Sequence, residues 1–353
     1  MMKIHLLSGF LGSGKTTAIQ NAVCTLLQKG IKTGVITNDQ GIKLVDGDLF
    51  KHLSIPNRQV VNGCFCCNYN DLDRGIQSLI TTNDTEVIFA ESVGSCTDIV
   101  ATVLKPLLKF RPGTQVTVSI FADVRLLQMI LGGNANSFDE TVNYIYLKQL
   151  EEAGIIVINK IDLISEKQLL SVQQLMQEKY SNKILLYQNS LHEGSIQQWL
   201  HTLDNYQSAA TLQSLNIDYD IYAEGEAKLA WFDQELEIYS ANNNALQQTE
   251  AFINTVYKKI IGCQYPIGHL KFLINGTKKI SFTSNTQSTA SIKKEDSKSA
   301  ALLINIRVQT TPERTRQLIN EAISETETES GCKIIQQSLS AFQPGYPKPT
   351  YRI

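Results

Sequence analysis

The segment Gly9-Phe10-Leu11-Gly12-Ser13-Gly14-Lys15-Thr16-Thr17 follows a short apolar run, residues 3–7, and precedes apolar residues at helical spacing (Ile19, Ala22, Val23, Leu26, Leu27). Gly9 through Thr16 fit the G-x-x-x-x-G-K-[ST] spacing, in the strand, loop, helix context that its chemistry needs. Glycines there let backbone N–H groups converge on phosphate oxygens, and the helix N-terminus adds partial positive charge. The pattern assigns Gly9, Gly12, Ser13, Gly14, Lys15, Thr16 and Thr17 to the phosphates of a nucleotide. Lys15 is expected to reach the β- and γ-phosphates, and the Thr16 hydroxyl to coordinate Mg2+.

A phosphate loop does not select a base. Asn159-Lys160-Ile161-Asp162, after the apolar run 155–158, does so: the Asp162 carboxylate can accept from both N1–H and the exocyclic amino group of guanine. Adenine offers neither donor, so GTP is expected, and a small-molecule kinase built on the same loop is disfavoured. Ser190, after the run 184–186, is a further candidate for backing the base. A third piece is the run 87–90 followed by Glu91-Ser92-Val93-Gly94. In phosphate-loop enzymes a carboxylate here helps hold Mg2+ or its waters, and a glycine amide, here that of Gly94, senses the γ-phosphate. The same carboxylate could cap a helix instead. Glu91 completes the expected catalytic set with Lys15 and Thr16. Asp123, ending the run 116–122, is as good a helix cap as a ligand contact and is left outside the site.

Seven cysteines are present: Cys24, Cys64, Cys66, Cys67, Cys96, Cys263 and Cys332. An odd number, with three in four consecutive positions, is a poor disulfide framework. Thiolates at Cys64, Cys66 and Cys67 on one turn could aim at a single Zn2+ or Co2+ ion. The spacing supplies no fourth ligand, and three ligands with an open position suit capture and release. A buried thiol group or a redox pair is the alternative. Asp39, in Asn38-Asp39-Gln40-Gly41, could add an oxygen ligand or contact Mg2+, and is equally an ordinary turn former.

These residues must be positioned by elements readable in the same pattern. Short apolar runs at 3–7, 33–37, 87–90, 116–121, 155–158 and 184–186 are separated mostly by helix-like segments such as 165–178. Alternation of that kind implies an α/β domain, a mostly parallel sheet covered on both faces. It is expected over 1–206, ending after the helix that carries Trp199, with a linker at 207–227. From 228 to 353 the periodicity changes: strands are expected at 230–240, 269–274, 279–283 and 302–308, and helices at 248–261 and from Pro312 to about 324. A smaller α+β domain follows, with a flexible loop at 284–299, a polar segment at 324–330 and an extended tail carrying Pro344, Pro347 and Pro349.

The net charge of −2 disfavours a general grip on nucleic acid or anionic membrane. No run of about 18 apolar residues and no signal-peptide pattern is visible, so a cytoplasmic location is expected.

Together, Gly9 to Thr17, Gly63 to Cys67, Glu91 to Gly94 and Asn159 to Asp162 resemble the CobW-type metallochaperone GTPases (the CobW/nitrile hydratase activator family). That family sits in the phosphate-loop group that also holds urease and hydrogenase nickel-insertion proteins. Trp231, the His269-Leu270-Lys271 strand and the strand at 302–308 are similar to the CobW C-terminal domain. The resemblance implies a GTP-hydrolysing carrier of zinc or cobalt that delivers its ion to a client metalloprotein and pairs with a second copy on binding nucleotide. An activator of a metalloenzyme or corrinoid protein that carries no metal is the alternative. Where the family has Glu-Thr-Thr-Gly this chain has Glu91-Ser92-Val93-Gly94, and its five histidines form no metal-storing loop.

Overall fold

A computed structural model describes residues 2–41, 45–133, 138–206, 209–284, 289–293 and 295–353. The chain forms two compact units: Met1–Gln40, Ser54–Gly225 and Tyr346–Ile353 make the first, and Gly41–Leu53 with Glu226–Gly345 the second. Two segments therefore depart from a serial division of the chain. Gly41–Leu53 belongs with the second unit and Tyr346–Ile353 with the first.

The first unit is built on a seven-stranded sheet of β1 (Lys3–Ser8), β2 (Thr33–Asn38), β3 (Asn57–Val60), β4 (Val87–Glu91), β5 (Gln115–Asp123), β6 (Ile155–Asn159) and β7 (Ile184–Gln188). Its order is β3-β2-β4-β1-β5-β6-β7, with every pairing parallel. β2, β4 and β6 are buried at every position. That is why they read as continuous apolar runs and not as alternating ones. The connecting helices are α1 (Lys15–Gln28), α3 (Tyr69–Asn83), α4 (Lys105–Phe110), α5 (Val124–Leu131), α6 (Glu140–Glu152), α7 (Glu166–Tyr180), α8 (Glu193–Asn205) and α9 (Tyr219–Ala227); α2 (Val45–His52) belongs to the other unit. Trp199 of α8 is fully buried edge-on against Phe121, with its Nε1–H donating to Ser119 Oγ at 3.2 Å. β1 lies between β4 and β5, so the loops leaving β1, β4, β5 and β6 emerge together at one sheet end.

The second unit is a five-stranded antiparallel sheet of β8 (Ala230–Tyr239), β9 (Ile267–Ile274), β10 (Lys278–Phe282), β11 (Ser299–Val308) and β12 (Lys333–Phe342), in the order β10-β9-β11-β8-β12. Alternate residues of β11 divide between two faces. Leu302, Ile304, Ile306 and Val308 pack with Phe252, Val256 and Ile260 of α10 (Ala245–Gly262) and with Ile319 and Ala322 of α11 (Pro312–Ser330). The intervening Leu303, Asn305 and Arg307 meet other partners. Leu303 clusters with Val45 of α2, Asn305 Oδ1 accepts the Val45 N–H at 2.9 Å, and Arg307 pairs with Asp233 at 2.8 Å over the Trp231 ring. Asp46 of α2 bridges Lys271 and Lys279, and these two cations hold its carboxyl below the usual range against the opposing effect of burial.

Two sequence expectations are revised here. Residues 324–330 are helical, because Ile319, Ala322, Ile323 and Thr326 keep one buried face while the Glu and Ser side chains cover the rest; α11 stops only at the left-handed Gly331 (φ 66°). The described residues of the segment expected as a flexible loop are partly docked. Ala290 and Ile292 are buried in the sheet–helix core, and their N–H groups donate to Asn254 and Glu250. Residues 285–288 and 294 of that segment, and 207–208 of the expected linker, lie outside the described residues. β12 carries no expectation in the sequence, since Gln, Ser and Lys dominate an edge strand that buries little beyond Ile334. No helix among the described residues is long and apolar enough to cross a membrane.

Candidate functional site

The loop between β1 and α1 holds its shape through glycine. Gly9 (φ 121°) and Gly14 (φ 92°) occupy the left-handed region, and a Cβ would lie 2.1 Å from Phe121 O at Gly9 and 2.3 Å from Asn159 Nδ2 at Gly14. Any larger residue would push the loop off β5 or break its tie to β6. Gly12 is also left-handed, Ser13 is buried, and Thr17 sits half-buried in the first turn of α1. The Lys15 ammonium is drawn back over the loop, donating to Gly9 O at 2.6 Å. The Thr16 hydroxyl meets both carboxylate oxygens of Glu91 at 2.9 Å. Lys15, Thr16 and Glu91 are thus gathered from α1 and the end of β4. The hydroxyl–carboxylate pair supplies the hard oxygen donors that suit Mg2+. Gly94 packs against the same loop, so closely that a Cβ on it would lie 2.9 Å from Leu11 N.

The segment after β6 is tied to the phosphate loop by two side chains. Asn159 Nδ2 donates to Ser13 O at 2.8 Å, and its Oδ1 accepts from Ser190 N (3.1 Å) and Ser190 Oγ (2.8 Å). Lys160, left-handed at φ 64°, donates to Gly12 O at 2.6 Å and pairs with Asp123 at 2.9 Å. These residues and Ser190 act as ties, and Asp162 is left exposed on the following turn. Asp123, set outside the site on sequence grounds, belongs to its frame. It caps α5 through the Arg125 N–H and pairs with the side chains of Lys160 and Arg125. Burial pushes its carboxyl up, but the two cations outweigh it and hold the group below its usual range.

The cysteines lie on a tight turn between β3 and α3, in which Cys67 N and Asn68 N both donate to Cys64 O. Asn38, the last residue of β2, pins the turn: its Nδ2 donates to Val60 O (3.0 Å) and Gly63 O (2.7 Å), and its Oδ1 accepts the Phe65 N–H (2.8 Å). The sulfurs of Cys64, Cys66 and Cys67 all fall within 4.8 Å of one another, at 3.5 Å for Cys64–Cys67 and 3.7 Å for Cys66–Cys67. Sulfurs at the corners of a tetrahedron about 2.3 Å from its centre stand about 3.8 Å apart, so the trio is already spaced for an ion of the zinc type. Hydrogen bonds from Cys66, Cys67 and Cys96 hold the Cys64 thiol well below its usual range, and Cys64 in turn pushes Cys67 up to about 11. Asp39 is not brought into the sulfur cluster.

Residues 346–353 lie along this turn. Lys348 N donates to Cys67 Sγ at 3.3 Å, Thr350 bonds to the Cys66 and Cys67 carbonyls, and Tyr351 packs beside Tyr69 and Phe110. Arg352 pairs at 2.8 Å with Asp98, which is buried and left-handed (φ 66°).

Glu152 at the end of α6 accepts from Thr97 Oγ1 and Val100 N. Its burial pushes the carboxyl up to about 8 from an ordinary value of 4.5, so the folded chain keeps a proton there that the unfolded chain releases. The stability that this residue contributes is complete below about pH 4.5 and is lost as pH rises to about 8. Glu152→Gln keeps both contacts, because its amide can accept from Val100 N–H and donate to the Thr97 hydroxyl. Thermal melts from pH 5 to 8.5 are expected to show the wild type losing about 5 °C or more relative to this variant; parallel curves would contradict the assignment.

Residues 3–186 match the family described as CobW/HypB/UreG, nucleotide-binding domain. The chain is 27% identical over 194 residues to the zinc chaperone YeiR of Escherichia coli (strain K12), covering 53% of this chain and 55% of that one. It is 28% identical over 206 residues to the zinc chaperone CobW of Sinorhizobium sp, covering 50% and 56%. The chain spans about half the length of the curated relatives it matches. Among solved structures, HypB from Helicobacter pylori in complex with nickel aligns with 62% of this chain and 92% of its own at 16% identity and a TM-score of 0.43.

Proposed function

The chain belongs to the CobW/HypB/UreG nucleotide-binding-domain family, and on that premise we propose that it hydrolyses GTP and couples nucleotide state to carrying a transition-metal ion, zinc or cobalt, to a client metalloprotein. The observation that carries this reading is the sulfur trio: Cys64, Cys66 and Cys67 stand at metal-site spacing on a turn pinned by Asn38, at the end of the strand that leads to Asp39. The zinc chaperones among the relatives point the same way.

In this reading Lys15 and the N–H groups of the loop bind the phosphates, and Asp162 accepts from the two guanine donors. Thr16 and Glu91 hold Mg2+, which supplies charge neutralisation at the phosphates. Gly94, packed on Leu11, follows the γ-phosphate, and its loss on hydrolysis shifts the population of loop states beside the cysteines. The metal ion is cargo, held at the cysteine turn until that shift. A soluble, cytoplasmic carrier that pairs on nucleotide binding fits this scheme.

Nucleotide competition tests the base assignment. Charge-assisted hydrogen bonds contribute about 1.5–3 kcal/mol each, so Asp162→Ala is expected to weaken GTP binding about 100-fold and to bring GTP and ATP to similar affinity. Wild-type protein preferring ATP would sink the assignment. Titration with Zn2+ and Co2+ tests the cargo: no binding of either would leave a GTP-dependent assembly factor that carries no metal.

A further inference from the structure

Cys96 is remote from Cys64, Cys66 and Cys67 in the chain, yet its buried thiol interacts with those of Cys64 and Cys66, on a loop that leaves β4 beside the end of β2 (Thr37 pairs with Glu91), while its sulfur stays outside the three that fall within 4.8 Å of one another. The thiols converge from different elements: the trio precedes α3, and Cys96 lies on the loop that leaves β4. Its position is built. Cys96 N donates to Val93 O at 3.1 Å, and Gln149 Nε2 of α6 donates to both Cys96 O (2.7 Å) and Gly94 O (3.1 Å), which fixes the turn that aims the thiol. None of the four cysteines is in a disulfide. Thiols are weak donors and weak acceptors, so gathering four of them brings little stability by itself.

Resting on the metal-carrying reading above, we propose that Cys96 is the fourth thiolate of the site, closing the Cys64, Cys66 and Cys67 trio around one tetrahedral ion. The trio already has the sulfur spacing of such a site, and Cys96 interacts with two of its three members from outside it, so loading requires its thiol to close in. Loading brings Cys96 and Cys67 onto the same ion. Four thiolates make a closed site and three leave a position open to a client's ligand, so the presence of Cys96 sets whether the ion is stored or transferable.

The same ligand links the two sites through one short stretch of chain. Glu91 touches Thr16, Gly94 packs on Leu11 of the phosphate loop, and Cys96 follows two residues later. A change at Gly94 on loss of the γ-phosphate therefore acts directly on one metal ligand, and withdrawing Cys96 opens the site.

X-ray absorption at the zinc edge on the full chain loaded with one equivalent of Zn2+ is the test, with thiol alkylation mapped by mass spectrometry beside it. Four sulfurs at about 2.3 Å are expected for the wild type. Cys96→Ser is expected to show three sulfurs and one lighter atom, and to bind Zn2+ at least about tenfold more weakly, since even residues that only orient a ligand cost 10–100-fold when changed. Cys96→Ala, slightly smaller, guards against a folding defect particular to serine. Alkylation needs no variant: zinc is expected to protect Cys96 together with Cys64, Cys66 and Cys67. Three sulfurs in the wild type, or Cys96 labelled as fast with zinc as without, would overturn the role of Cys96 and leave the metal reading standing. A wild type that binds neither Zn2+ nor Co2+ would overturn both.

Discussion

Lys15→Ala is expected to lower GTP affinity about 1000-fold and to abolish measurable hydrolysis. The ammonium is buried in the loop and donates to Gly9 O at 2.6 Å, so it is poised where the phosphates would be bound. Two or three charge-assisted hydrogen bonds at about 1.5–3 kcal/mol each give roughly 4 kcal/mol, and each 1.4 kcal/mol is tenfold. The variant keeps Gly9, Gly14 and the Asn159 tie to Ser13, so the loop itself should persist. Isothermal titration with GTP, with circular dichroism as the folding control, is the measurement. Affinity within tenfold of wild type would remove the loop from the nucleotide site.

Replacing Cys64, Cys66 and Cys67 together by Ser is expected to bring zinc binding down to background, a loss of at least about 1000-fold. Serine hydroxyls keep their protons at neutral pH, so the variant can offer no anionic sulfur-like ligand, whereas structural zinc sites built on thiolates are worth about 10–16 kcal/mol of apparent binding free energy. Measured without zinc, nucleotide binding should stay within about twofold, because the three thiols belong to the turn between β3 and α3 and the expected nucleotide contacts to the segments after β1, β4 and β6. Competition against a chelator of known affinity reads the metal directly. Unchanged affinity in the triple variant would place the metal elsewhere or make the cysteines incidental.

The strands of the first unit that lie in the middle of the sheet were legible because burial on both faces forces continuous apolar runs. β3 and β12 were not, for the same reason in reverse: they are edge strands, β3 mostly half-buried and β12 mostly exposed, so Arg58, Gln59, Gln336 and Ser338 carry no apolar signal. The helix through residues 324–330 was hidden by its composition, since one buried row is enough to hold it and the remaining positions are Glu, Ser and Thr. The departure of Gly41–Leu53 to the second unit rests on Val45, Asp46 and their partners on β9, β10 and β11, contacts that no local pattern announces.

Within the site, what was legible was what acts through local spacing. Gly9 to Thr16 and Asn159 to Asp162 each carry their geometry in a short window. Positioning residues were missed because their partners come from other strands: Asn38 holds the cysteine turn across β2 and β3, and Asp123 holds Lys160 across β5 and β6. Cys96 was visible as a cysteine but not as a neighbour of Cys64, since only the parallel order of β2, β4 and β1 brings the end of β4 beside that turn.

Coupling between nucleotide and metal is the central claim, and it is measured most directly as zinc affinity in two nucleotide states. Full-length protein loaded with GDP and with a non-hydrolysable GTP analogue, each with Mg2+, would be titrated against a zinc-buffering chelator. At least a tenfold difference in affinity between the two states is predicted, together with an equal and reciprocal effect of zinc on nucleotide affinity, as linkage requires. Equal zinc affinity in both states would contradict the account.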